Sequence, residues 1–329
     1  MKKVLLGTTA LLLSAGVAAA EVAVSGEGRM GIVDALGDDT DAGFSSRIRI
    51  AFSASGETDA GLSFGGSIRA DNAGGGEGGT AGNVFVEGTF GKISMGDVGS
   101  AADAANGDVS GVGYTNPGAF NEFVYLGNDR RPAARWDYVM GGLGLHISSD
   151  NPSSDLDTTS VAVTYSAGAL SIGLGYEDAE VDLSNSDGDA ELAGLLVDGL
   201  TFDGDHIIGS VAYAFGDATV KAVYGTASGD LNGTITGTAI TVTDAEVDFS
   251  QMGVSVDYVV GATTLTAYYA MYEIEDDIEA ELTAIGVGAS YDLGGGASLA
   301  GGFVSTSGEA FGVDYEDEDA FDLGINMTF

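Results

Sequence analysis

Sixteen stretches of this chain alternate apolar with polar residues, and a period of two is the spacing at which side chains of an extended strand point to opposite faces. The first sets Val22, Val24, Met30 and Ile32 against Ser25, Glu27 and Arg29. The second sets Phe44, Ile48, Ile50, Phe52 and Ala54 against Arg47, Arg49 and Ser53. The third sets Leu62, Phe64, Ile68 and Ala70 against Ser63, Ser67, Arg69 and Asp71. The same alternation recurs at 84–90, 93–95, 136–140, 143–147, 161–165, 170–176, 207–215, 220–224, 252–258, 265–271, 285–291, 299–303 and 321–329. Such a pattern specifies strands. Beyond the leader, nothing supplies the roughly 18–20 consecutive apolar residues of a spanning helix.

An even number of alternating strands is what a closed up-and-down barrel of the outer-membrane type requires. The turns add a second regularity. Short connections follow an aromatic at Phe90-Gly91, Tyr165-Ser166-Ala167-Gly168, Phe215-Gly216-Asp217, Tyr258-Val259-Val260-Gly261 and Tyr291-Asp292-Leu293-Gly294. They alternate with longer polar connections centred on Asp38, Gly75, the run 99–133, Asn151, Asn185, Asn232, Asp277 and Asp314. One end is tight and the other ragged, as short periplasmic turns and long external loops demand. The predicted fold is all-β, a 16-stranded antiparallel transmembrane β-barrel. A soluble β-sandwich also alternates. It gives no reason, however, for arginines to gather on the polar parity, for the apolar parity to be almost free of charge, or for Phe329 to close the last strand.

The leader Met1-Lys2-Lys3, the apolar stretch from Val4 and the small residues Ala18-Ala19-Ala20 read as a secretory signal peptide over 1–20, with the mature chain at 21–329. Cysteine is absent, so the exported fold depends on no disulfide. Of the 11 Lys and Arg residues two leave with the signal, so nine face 50 acids, a balance of −41. A nucleic-acid partner would need a basic footprint and is excluded as the default; cations are favoured. Disorder is excluded by the 44% of hydrophobic residues and their regular alternation.

The run 99–133 departs from the pattern, with neither strand alternation nor helical periodicity. Connections longer than roughly 12–15 residues are usually functional or disordered. This one carries apolar anchors (Val109, Val112, Tyr114, Phe120, Phe123, Val124, Tyr125, Leu126), the acids Asp103, Asp108, Glu122 and Asp129, and the pair Arg130 and Arg131. It is expected to pack against something and to present charge.

Five stretches, in order along the mature chain, carry a family resemblance: Ser25-Gly26-Glu27-Gly28-Arg29-Met30-Gly31, Phe90-Gly91-Lys92-Ile93-Ser94-Met95-Gly96-Asp97, Gly113-Tyr114-Thr115-Asn116, Tyr165-Ser166-Ala167-Gly168-Ala169 and Tyr291-Asp292-Leu293-Gly294-Gly295-Gly296-Ala297-Ser298. The chain resembles the general diffusion porins of Gram-negative bacteria, in particular the alphaproteobacterial ones. The resemblance implies a homotrimer of 16-stranded barrels in the outer membrane, in contact with its lipid and lipopolysaccharide. Each barrel would be narrowed by an inward-folded third external loop, here 99–133, and would pass small hydrophilic solutes and ions passively, with no catalytic residue. In that family basic wall residues face loop acids. The candidate constriction is therefore Arg29, Arg47, Arg49, Arg69, Arg130 and Arg135 with Asp103, Asp108 and Glu122. The second loop of such a barrel latches onto a neighbouring subunit, which makes Glu77 an intersubunit candidate.

Acid runs at Glu273-Ile274-Glu275-Asp276-Asp277 and Glu316-Asp317-Glu318-Asp319, placed on external loops, would enrich cations at the mouth, and charged walls select by sign. A modest cation preference is expected because the arginines oppose it. No cofactor is implied. Calcium is a candidate structural ion at acidic loops, although the best local match, 185–189, lacks the first acid and the closing Glu of a calcium loop. A substrate-specific channel is the alternative. For sugars it would want a ladder of inward aromatics, of which Phe85, Tyr268 and Tyr272 are the clearest. For phosphate it would want constriction lysines, yet Lys92 sits at a tight turn and only Lys221 is mid-strand. A barrel enzyme is the remaining alternative; His146 points inward and His206 starts a strand, but neither has a nucleophile at a telling spacing. The glycine run 74–79 lacks the G-K-[ST] ending of a phosphate loop and reads as an external loop.

Overall fold

The computed structural model describes residues 21–34, 42–71, 82–127, 133–151, 156–182, 190–192, 195–235, 241–276, 279–310 and 313–329. The signal peptide, Glu77, Asp129, Arg130, Arg131 and the 185–189 motif lie outside them. The strands are β1 (Glu21–Asp34), β2 (Gly43–Glu57), β3 (Ser63–Asp71), β4 (Asn83–Gly88), β5 (Gly91–Gly96), β6 (Ala133–Met140), β7 (Leu143–Ser149), β8 (Leu156–Ala167), β9 (Leu170–Asp182), β10 (Ala190–Leu192), β11 (Leu195–Phe215), β12 (Ala218–Ile235), β13 (Thr241–Val260), β14 (Thr263–Asp276), β15 (Ala280–Gly294), β16 (Ala297–Ala310) and β17 (Val313–Thr328). Sixteen of these form one antiparallel ring. Neighbours pair in sequence from β1 to β9, β9 pairs with β11, and the series continues to β17, which returns to β1. The three-residue β10 pairs with the far end of β11 and stands outside the ring. Each alternating stretch of the sequence maps onto one barrel strand, with Leu62 in the turn before β3, Thr89 and Phe90 in the turn after β4 and Phe329 just beyond β17.

Closure is set by register. Glu27 opposes Thr328 and Asp34 opposes Phe321. Beyond the ladder, Phe329 donates its N–H to Gly26 at 2.9 Å and accepts from Gly26 at 2.6 Å. Its ring occupies the space over Gly26, where a Cβ would approach within 2.5 Å. Deleting Phe329 removes both seam hydrogen bonds and the packed ring. We expect reduced yield of inserted protein in outer-membrane fractions, and a normal yield would rule out this role.

Four of the tight turns, after β6, β8, β11 and β13, are two-residue connections with glycine first, whereas Thr89-Phe90 joins β4 to β5. Gly141, Gly168, Gly216 and Gly261 have φ of 63° or 64°, the left-handed geometry that a II′-type hairpin requires at that position. Beside these turns Tyr165, Phe215, Tyr258 and Tyr291 are exposed on the outer face. Trp136 stacks on Tyr138 there and donates to the Phe90 carbonyl. Amphipathic rings at this level are the usual interfacial girdle.

Several strands are longer than the alternation suggested. β11, β12 and β13 run to 21, 18 and 20 residues, whereas roughly 9–11 suffice to cross a bilayer. The surplus corrects three expectations. Asn232 and Asp314 lie within β12 and β17 rather than in loops. The acid runs at 273–276 and 316–319 sit on the ends of β14 and β17. The outward parity is also not free of charge: beyond an apolar belt ending at Tyr176 and Ile207, the exposed acids Asp178, Glu180, Asp203, Asp230 and Asp248 continue it. A carboxylate there stands beyond the hydrocarbon and meets no lipid penalty. Alternation therefore marks only the membrane-crossing part of each strand.

Candidate functional site

The segment after β5 opens with a short helix, α1 (Ala101–Asn106), that the sequence did not signal. The Ser100 side chain accepts from the Asp103 N–H. Two further N–H groups of the first turn, on Ala101 and Ala102, donate to Ser148 and Ser160 of the wall at 2.8 and 2.9 Å. Helix starts leave such donors unpaired, and here wall serines satisfy them. Close approach is possible because α1 lies on Gly175, where a Cβ would stand 2.6 Å from that of Ala102. At the other end Lys221 donates to the carbonyls of Asn106 and Asp108.

Onward, the segment is pinned at intervals. Ser110 donates through N to Ser255 and through Oγ to Asp257. Asp322, almost wholly buried, accepts from Tyr114 N, Thr115 N and Thr115 Oγ1 with one oxygen and from Gly302 N with the other. After the 3-10 turn Pro117–Ala119, Tyr272 donates to the carbonyls of Phe120 and Glu122. Gln251 brackets Val124, accepting from its N–H and donating to its carbonyl, both at 2.8 Å. Glu177 accepts from Leu126 N at 2.8 Å and faces His206 Nδ1 at 2.9 Å.

These partners share the parity opposite the apolar belt, so the segment lies on the inner side of the wall, along β7–β9 and β11–β17. Beneath it the wall is apolar: Ile208, Val223, Ala270, Ala284 and Val304 pack with Val109, Val112, Phe123, Tyr125 and Tyr268. Burying side chains of this size contributes roughly 1.5–3 kcal/mol each. Among the anchors Val124 is half exposed, and Phe120 and Leu126 are partly buried. The remaining wall, β1–β6, touches the segment through Arg29, whose Nη1 donates to Tyr114 and Thr115 carbonyls at 3.4 and 3.5 Å, and through Arg135, which donates to Gly99.

Arg47 and Arg49 both pair with Glu27 Oε1 at 3.2 Å, and Asp71 pairs with Arg49 and with Arg69. These wall carboxylates were on the inward parity of the sequence but were not recognised as partners. Their signal was register, since Glu27 stands opposite Arg49 and Arg49 opposite Asp71. Arg135 pairs with Asp137, which also binds His146 Nδ1 at 2.7 Å. On the segment, Asp103 lies in α1, while Asp108 and Glu122 are exposed to the lumen. Asp108 accepts from Phe123 N. Although the residue is exposed, desolvation by the protein packed around its carboxyl raises it above the ordinary range, opposed by that N–H and by Lys221. Burial also raises Glu122, and the charge of Asp108 adds to the shift, against a hydrogen bond from Asn116.

His206 is fully buried in mid-strand rather than at a strand start, because β11 begins at Leu195, ahead of its alternating part. Its tautomer follows from its neighbours. Val124 orients the Gln251 amide so that the NH2 faces His206 Nε2 at 3.2 Å; that nitrogen must accept, and Nδ1 carries the proton toward Glu177. Calcium finds no three-ligand group among the described residues.

A family model described as Gram-negative porin matches residues 7–310. A porin of Rhodobacter capsulatus is 35% identical over 94% of this chain and 100% of its own length. A solved porin structure is 32% identical, with a TM-score of 0.73 over 94% of this chain and 100% of that one. OmpT, an outer membrane protein of Vibrio cholerae solved in a trimer form, superposes with a TM-score of 0.75 at 16% identity over 94% of this chain and 100% of its own, a likeness of fold alone.

Proposed function

The chain belongs to the Gram-negative porin family, with its barrel in the outer membrane, and from that premise we propose a water-filled channel for passive, weakly cation-preferring diffusion of small hydrophilic solutes and ions. The observation that carries this reading is the uneven attachment of the inner segment, which is tied to the opposite wall at Arg29 and Arg135 and otherwise held by the far side of the barrel. It is bound along β7–β9 and β11–β17, exposes Asp108 and Glu122, and faces a wall, β1–β3, that carries Arg29, Arg47, Arg49 and Arg69. Solutes cross between the two, beside the Arg29 contact, at a constriction that also includes Asp103 and Arg135. Non-specific passage is supported by the fate of the inward aromatics. Tyr268 is buried under the segment, Tyr272 is hydrogen-bonded to it, and Phe85 lies beneath Lys92, so they form no ladder for a sugar. Both histidines are engaged with carboxylates; His206 is buried between Glu177 and Gln251, and His146, which also lies 3.3 Å from the Thr164 hydroxyl, is tied to the Asp137 that pairs with Arg135, an arrangement we read as part of the wall's polar network. The working unit is a homotrimer held in lipid and lipopolysaccharide. An apolar outer recess between β2 and β5, lined by Phe52, Phe64, Ile68, Val84 and Met95, is a surface suited to a neighbouring subunit.

The test is single-channel conductance and reversal potential of the refolded protein in a planar bilayer under a salt gradient. Large stepwise conductance with modest cation preference is expected, and changing Arg47, Arg49 and Arg69 to Ala should raise that preference. Small currents blocked by one solute would favour a specific channel. Acidification carries a signed prediction. Because Asp108 and Glu122 have raised pKa values, they lose charge at higher pH than ordinary carboxylates. Cation preference should therefore begin to fall while most other acids remain ionised. In an Asp108→Asn, Glu122→Gln double variant the early part of that pH profile should flatten; an unchanged profile would exclude these two acids.

A further inference from the structure

We propose that Glu27 and Asp71 are specificity-determining residues of this channel, two wall carboxylates that set the sign and size of its ion preference by cancelling half of the charge of four arginines. The inference rests on the channel reading above. Its basis is a charge lattice across three strands. Glu27, Arg49 and Asp71 occupy one cross-strand row from β1 through β2 to β3. In the neighbouring row Arg29 stands directly opposite Arg47, a like-charge pairing that is unfavourable without compensation. Glu27 Oε1 reaches both Arg47 and Arg49 at 3.2 Å, and Asp71 reaches Arg49 and, at 3.5 Å, Arg69.

These six groups lie on the inner face of the wall, and the Glu27 side chain is 48% exposed. A passing ion therefore feels the carboxylate as well as the guanidinium beside it. Without Glu27 and Asp71 the same wall would present four positive charges opposite the loop acids and would draw anions. Acids on the strand ends lie farther from the ion path, and salt screens exposed charges beyond about 10 Å at 0.1 M and about 3 Å at 1 M. Glu27 acts on an ion at contact range and Asp71, whose side chain is 13% exposed, acts from just behind the arginines it neutralises, so their influence persists at high salt while that of the rim fades.

The experiment is the cation-to-anion permeability ratio, from reversal potentials in potassium chloride gradients at low and high salt, for the parent, Glu27→Gln, Asp71→Asn and the charge-conserving double variant Glu27→Gln, Arg47→Gln. Each single change should lower the ratio roughly two- to fourfold, with the shift retained near 1 M salt. The double variant should return it toward the parent. A role confined to holding the arginines in place would change heat resistance and leave the ratio unmoved, and that result overturns the proposal. Should Glu27→Gln fail to insert, Asp71→Asn and the double variant carry the same reading. A parent without stepwise conductance overturns the channel reading and this inference together, whereas parent steps with an unmoved ratio overturn this inference alone.

Discussion

Replacing Asp322 by asparagine should release the middle of the inner segment and cost roughly 3–5 kcal/mol of local stability. The carboxylate is buried in β17 and accepts four hydrogen bonds, three from Tyr114 and Thr115 and one from Gly302. An amide of the same shape has one acceptor oxygen. If that oxygen faces Tyr114 and Thr115, the NH2 points at the Gly302 N–H; turned round, it meets three donors. Either way donors face donors in a buried site. Since Arg29 also holds the Tyr114 and Thr115 carbonyls, the loss should spread to the arginine wall. We expect open-channel current noise to rise sharply and the folded form to denature at lower temperature in detergent. Unchanged noise and heat resistance would show that the apolar anchors Val109, Val112 and Phe123 hold the segment without Asp322.

Gln251→Leu should loosen the returning limb at a cost of roughly 3 kcal/mol, counted as about 1 kcal/mol for each of three interactions. The wild-type amide satisfies both backbone groups of Val124 and donates to His206 Nε2. Leucine keeps the volume and removes all three. The limb carries Glu122, so displacement should shift the reversal potential as well as the noise. Gln251→Glu separates packing from hydrogen bonding: it still accepts from Val124 N but offers no donor to Val124 O or His206. An effect of similar size would identify the lost donors as the cause. If Leu behaves as wild type, Glu177 and the Tyr272 hydroxyl hold the limb by themselves.

Much of the barrel was legible because the membrane imposes a two-residue period. Ile207, Val211 and Tyr213 must face lipid, and strand number, order and the Phe329 seam follow from counting such positions. The ends of the strands were not legible. Residues 201–205 of β11 are all at least partly exposed on both parities, so nothing forces alternation on them, and His206 was placed at a start instead of in mid-strand. The helix α1 was hidden for a related reason. Apart from the local cap Ser100, its six residues are held by Ser148, Ser160 and the space over Gly175, none of them local in sequence. A signal for the loop's bed did exist: Ala270, Ala284 and Val304 are apolar where the lumen parity should be polar.

From sequence alone follow the antiparallel barrel, the unusual segment after the fifth barrel strand and the clustering of Arg29, Arg47, Arg49 and Arg69 on one inner wall, because each depends on parity or composition, which are properties of order along the chain. The partners of those arginines in Glu27 and Asp71, the anchoring of the segment by Asp322, Glu177 and Gln251, and the exposure of Asp108 and Glu122 were decided only by the tertiary structure. Each depends on cross-strand register or on a contact spanning tens to hundreds of residues, and alternation along one strand carries no information about which residue stands beside it on the next.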